Sequence, residues 1–177
     1  MSLITVKKRR KVYVQGQKAE LRIKGDWHWA HYYLAIFAFI SNIFIKGYKK
    51  RFMEDFITVS KVIKPVIYIP INRKGISKQS LEHEVVHLKQ MGGFFKKVAY
   101  SFNYLLRPKK RFFYELEAYE VELGYILKEE GEIPIRDRIK YAKIMSSKMY
   151  YSPVSFEVAL EEVHKVCDKM EKESVNI

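Results

Sequence analysis

Residues 80–90 read Ser80-Leu81-Glu82-His83-Glu84-Val85-Val86-His87-Leu88-Lys89-Gln90. Leu81, Val85 and Leu88 recur at spacings of four and three. At about 100° per residue they fall within roughly 40° of one another, which predicts one buried face of an α-helix. His83 and His87 fall near 200° and 240° on the same wheel, so they are expected to line a cleft on the other side. Ser77 or Ser80 is placed to cap the helix, which should run to about Gln90 and stop at Gly92 and Gly93. The pattern His83-Glu84-Val85-Val86-His87 has a mechanical meaning on such a helix. Positions i and i+4 point the same way, so two imidazoles can share one tetrahedral Zn²⁺. Glu84 lies too close in sequence to serve as a ligand of the same kind. Its carboxylate is placed to take a proton from a metal-activated water.

Upstream of this helix the chain reads as β-structure. Residues 3–24 alternate (Ile4, Val6, Val12, Val14, Leu21, Ile23) and predict a strand pair joined by a basic turn, with Gly16 and Gly25 as punctuation. Residues 56–63 and 66–71 are rich in β-branched side chains and read as two strands joined through Lys64-Pro65. Pro70 carries no backbone donor, so the second of these is expected at a sheet edge. Downstream the chain reads as helices. An aromatic one covers 94–106, a long one runs from about Lys110 to Glu130 and stops at Gly131, one follows Pro134 to about Met149, and an amphipathic one follows Ser152-Pro153 to near Glu173. The expected class is α+β, mainly helical, with a small sheet before the histidine helix. No linker divides the chain, so 1–177 is expected to be a single domain.

Composition narrows the function classes. With 177 residues, 48% hydrophobic and only 8 Gly and 5 Pro, disorder and loop-dominated folds are excluded. The single cysteine, Cys167, excludes an internal disulfide framework and any zinc site built on several thiolates. A metal must therefore be held by histidine and carboxylate. Cys167 sits among Val158, Val163 and Val166 and is expected to be buried and inert.

A third ligand has to come from elsewhere in the chain. Position 93 is glycine, so no histidine follows six residues after His87, and His28, His31 and His164 have no ligand-like setting. Tyr114-Glu115-Leu116-Glu117-Ala118-Tyr119 on the next long helix offers two carboxylates about 200° apart, of which only one can face the metal. The apolar stripe of Phe112, Leu116, Tyr119, Leu123, Ile126 and Leu127 places Glu115 at its flank and Glu117 toward solvent. This favours Glu115, with Glu117 as the alternative, and Ala118 beside Glu115 permits close helix approach. Gln90, near 180°, either bonds a ligand or substrate or simply lies at a solvated helix end.

HEVVHLKQ followed by YELEAYE resembles the gluzincin side of the zincin metallopeptidases, in particular small zincin-like proteins of bacteria and phages with H-E-x-x-H-x-x-Q and E-x-E-A. The resemblance covers about residues 56–127. It implies a zinc ion on His83, His87 and Glu115, Glu84 as general base, and a peptide or protein as substrate. It departs at one point: the aspartate that steadies a ligand histidine in the family is Tyr119 here, whose hydroxyl would have to substitute. The resemblance also implies an edge strand before the metal helix that holds substrate by strand addition, and residues 66–71 are placed for it.

The net charge of +13 supports a second reading. A zincin-like scaffold without turnover would use its basic clusters (residues 7–11, 46–51 and 107–111) to bind nucleic acid or an anionic membrane surface. An intact Glu84 favours the enzyme, since a scaffold has no need of it. Residues 28–46 predict an apolar helix. Its most apolar run, 32–45, covers 14 residues and is interrupted by Ser41-Asn42. That is about 21 Å of helix against roughly 30 Å of bilayer core, so it should not span a membrane. The basic N-terminus is not followed by an apolar segment. The expected location is therefore cytoplasmic, with peripheral membrane contact as the variant.

Overall fold

The computed structural model describes residues 3–6, 9–24, 57–60, 65–92, 96, 99–100, 103–104, 107–147 and 154–175. The predicted 28–46 helix, His28, His31 and the 46–51 basic cluster lie outside them. The fold is mixed α+β, as expected. It comprises two compact units, residues 1–89 and 90–177, whose boundary falls in the last turn of the histidine helix.

Among its described residues the first unit holds six strands: β1 (Leu3–Thr5), β2 (Arg9–Val14), β3 (Gln17–Ile23), β4 (Thr58–Ser60), β5 (Val66–Ile69) and β6 (Gly75–Ser77). Helix α1 (Lys78–Met91) follows directly. The expected strand pair in 3–24 is corrected in two ways. Arg9, Arg10 and Lys11 belong to β2, where they pair with Arg22, Leu21 and Glu20 of β3. The turn falls instead at Gln15 and Gly16, with φ of 48° and 75°. Two adjacent positive φ values are what a tight hairpin turn needs to match the twist of its strands. Strand β1 leaves this hairpin and pairs antiparallel with β6, Ile4 opposite Ile76. Gly75 makes that pairing possible, because a Cβ there would sit 2.4 Å from the Ile4 carbonyl oxygen.

A further correction concerns β5. The sheet order is β2-β3-β5-β4, so β5 is central, parallel to β3 and antiparallel to β4. The strand ends at Ile69, so Pro70 owes the ladder no donor, and its carbonyl accepts the Arg73 N–H at 3.0 Å in the turn that follows. All four β5 residues are buried, the pattern of a strand covered on both faces. With both edges filled, β5 cannot take a substrate strand.

Ser77 caps α1: its Oγ accepts the Ser80 N–H at 3.1 Å. Gly92, at φ +53°, follows the last turn. Leu81, Val85 and Leu88 are fully buried, as the wheel predicts. Gln15 reaches from the hairpin turn to this helix, accepting from Lys89 Nζ at 2.9 Å and donating to Glu82 at 3.4 Å.

The second unit is helical: α2 (Pro108–Glu130), α3 (Ile135–Met145) and α4 (Phe156–Val175). Pro108 sits at the start of α2, where a missing N–H costs nothing. Gly131 ends the helix at φ +78°, its N–H bonded to the Leu127 carbonyl at 2.8 Å. Phe112, Leu116, Tyr119 and Leu123 of α2 meet Tyr141, Ala142 and Met145 of α3 and Ala159, Val163 and Cys167 of α4 in one core. At about 1.5–3 kcal/mol for each large apolar side chain fully buried, this core is the main stabilising term of the unit. Arg138 fastens α3 to α4 through Asp168 and Glu171, and Glu171 also accepts the Ile133 N–H at 2.7 Å. The third helix ends at Met145 within the described residues, short of the expected Met149.

Candidate metal centre

His83 and His87 lie one turn apart on α1 with ring centroids 5.1 Å apart in an edge-to-face arrangement. Glu115 lies in the second turn of α2. Each of the three offers a ligand atom, and these atoms lie within 4.8 Å of one another; they are the only such group among the described residues. Two ligands of a tetrahedral zinc with bonds near 2.1 Å are about 3.4 Å apart, so small side-chain adjustments close this set on an ion. Two imidazoles and one carboxylate are also a donor set that zinc accepts with a fourth position left open. The residues present therefore fit the metal.

All of the site is more enclosed than the wheel implies. His83, Glu84 and His87 are 6%, 8% and 5% exposed. They do not line an open cleft; α1 is covered on its polar side as well as its apolar one. Amphipathic periodicity reports which residues share a face. It does not report whether a second layer covers that face.

The two candidate carboxylates separate as the apolar stripe predicts. Glu115 is 3% exposed, while Glu117 is exposed and accepts a hydrogen bond from Gln90 Nε2 at 2.9 Å. Gln90 also donates to the Tyr114 carbonyl at 3.0 Å, so its role is to tie the end of α1 to α2. Tyr119 packs its ring against Tyr141, with centroids 5.0 Å apart, as part of the helical core. His164 stays away from this group, its Nδ1 3.2 Å from Arg138 Nη1. Cys167 is buried, and burial pushes its thiol up to about 11, which keeps it protonated and inert.

Three residues near the site escape sequence reasoning. Tyr104 donates its hydroxyl to Glu115 Oε1 at 2.5 Å. Burial first, then the charge of Glu115, holds that hydroxyl well above its ordinary value, so it remains a donor. Arg111 is 3% exposed, donates to the Tyr104 carbonyl at 3.2 Å and lies over its ring at 5.7 Å. It is therefore no part of a basic surface, although Arg107, Lys109 and Lys110 beside it are exposed. The available signal was its i, i+4 relation to Glu115 on one flank of α2. Lys24, one residue beyond β3, is 1% exposed. Burial pushes its ammonium down to about 7, opposed by attraction to Glu84 and assisted by repulsion from Arg73. The signal here was the alternation Glu20, Arg22, Lys24, which reads as a solvated face but is buried, with Glu20 and Arg22 paired at 2.6 Å.

No family model matches this sequence, and neither the curated proteins nor the solved structures yield a match. Among the described residues no helix is long and apolar enough to cross a membrane.

Proposed function

We propose that the protein is a zinc-dependent hydrolase of peptide bonds, with His83, His87 and Glu115 as metal ligands and Glu84 as general base. The observation that carries this is the grouping of those three donors next to a glutamate on the same helix. When bound, zinc supplies Lewis acidity that lowers the pKa of a coordinated water toward 7 and polarises a carbonyl. Glu84 takes the proton of the attacking water on its carboxylate and passes it to the departing amine. Its near-complete burial keeps bulk water from competing for that proton. The Lys24 amine lies within electrostatic reach of the same carboxylate. The substrate is read as a peptide or protein, on the resemblance of HEVVHLKQ and YELEAYE to the gluzincins.

A general protease assay on fluorescently labelled casein tests this reading. Hydrolysis is expected, lost with EDTA and restored by zinc. Hydrolysis that EDTA leaves untouched would contradict it. Zinc-loaded protein without hydrolysis would favour the second reading, a basic scaffold that binds nucleic acid or an anionic membrane surface, for which exposed Arg10, Lys11, Lys109 and Lys110 are available.

A further inference from the structure

We infer that Tyr104 is a positioning residue for Glu115, and that its hydroxyl sets how tightly the site holds zinc. The inference rests on the metal-site reading. A carboxylate offers two oxygens. The Tyr104 hydroxyl bonds one of them, Oε1, at 2.5 Å, which restrains the Glu115 side chain. A hydroxyl donating to a carboxylate at this length is a charge-assisted bond, about twice as strong as a neutral one. Glu115 is 3% exposed, and a buried carboxylate without such a donor is expensive to keep ionised.

Tyr104 is itself held in place. Arg111, one turn before Glu115 on α2, donates to its carbonyl and lies over its ring, and Tyr100 stacks on that ring with centroids 5.6 Å apart. A chain of contacts thus runs from Arg111 through Tyr104 to the metal-facing carboxylate. In the family that the sequence resembles, an aspartate at position 119 would steady a histidine ligand. Here position 119 is a core tyrosine whose ring lies tilted against Tyr141, and Tyr104 bonds the glutamate. Partners of this kind typically govern metal affinity by roughly 10–100-fold.

The test compares zinc affinity, by competition with a chromogenic chelator, for the parent, Tyr104→Phe and Arg111→Lys, together with Tm of each after metal removal. Phenylalanine keeps the ring, its stacking and the Arg111 contact, and removes only the hydroxyl. Tyr104→Phe is expected to bind zinc roughly 10–100-fold more weakly, while its metal-free Tm falls by only the few degrees that one lost hydrogen bond to a buried carboxylate costs. Arg111→Lys keeps the charge, loses the planar fork and should fall between the two. Parental affinity in both Tyr104→Phe and Arg111→Lys overturns the inference while leaving the metal centre intact. Loss of affinity that merely tracks a fallen metal-free Tm also overturns it. A parent that binds no zinc overturns the metal-site reading, and this inference with it.

Discussion

Glu115→Ala is expected to yield zinc-poor protein whose Tm no longer responds to added zinc, while Glu117→Ala behaves like the parent. The two glutamates are two residues apart, yet one is 3% exposed beside His83 and His87 and the other is exposed. Removing Glu115 leaves two neutral imidazoles and no anionic ligand. Metal that binds only the native state stabilises it by about 2.7 kcal/mol when free metal is 100-fold above Kd. For a chain of this length that raises Tm by about 5–11 °C, and Glu115→Ala should forfeit the whole response. Glu117→Ala loses only an exposed hydrogen bond from Gln90, with a cost of about 0.5–1 kcal/mol and no loss of metal. Thermal scans with and without zinc, on both variants, check this. The reverse pattern would mean that α2 presents its other face to the metal.

The second large effect belongs to Glu84. Glutamine keeps the size and hydrogen-bonding shape and removes the base, so Glu84→Gln should lower kcat by roughly 10²–10⁴-fold, the usual worth of general base catalysis. Zinc content should stay parental, because Glu84 is not in the ligand group. Casein hydrolysis and metal content measured on one preparation separate the two roles. Parental turnover refutes Glu84 as base, and loss of zinc refutes its separation from the ligands.

Much of this site was legible from short-range pattern. The i, i+4 histidines lie on a helix because Leu81, Val85 and Leu88 build a helical face there. Glu115 was distinguishable from Glu117 because an apolar stripe on a 23-residue helix defines a buried flank. The helix ends at Gly92 and Gly131 were legible too, since positive φ there favours glycine. What was misread depends on partners distant in sequence. The central place of β5 follows from pairing with β3, more than forty residues upstream, and no local feature of Val66–Ile69 announces it. Pro70 misled because a proline one residue past a strand end looks, in sequence, like a proline inside it. The fate of β1, paired with β6 across some seventy residues, is of the same kind.

Buried charges are hidden from sequence for a different reason, and only Arg111 among them was placed in sequence, within the 107–111 basic cluster. Lys24, Arg111, Glu20 and Arg22 are buried. Charged residues are almost never fully buried unless paired, so solvent is the natural reading for each one taken alone. Partners make burial tolerable: Glu20 for Arg22 at 2.6 Å, Glu84 for Lys24, and Tyr104 for Arg111. Such pairs are found only when the fold brings them together. Two of these buried basic residues, Lys24 and Arg111, stand within reach of the proposed base and against the tyrosine that bonds the proposed ligand.

The central claim is the metal centre, and elemental analysis of protein purified without added metal or chelator tests it most directly. One zinc per chain is expected in the parent, and far less in His83→Ala, which removes one of three ligands and leaves Glu84 and Glu115 in place. A parent without zinc, or equal metal in parent and variant, would contradict the assignment of His83, His87 and Glu115 as the site.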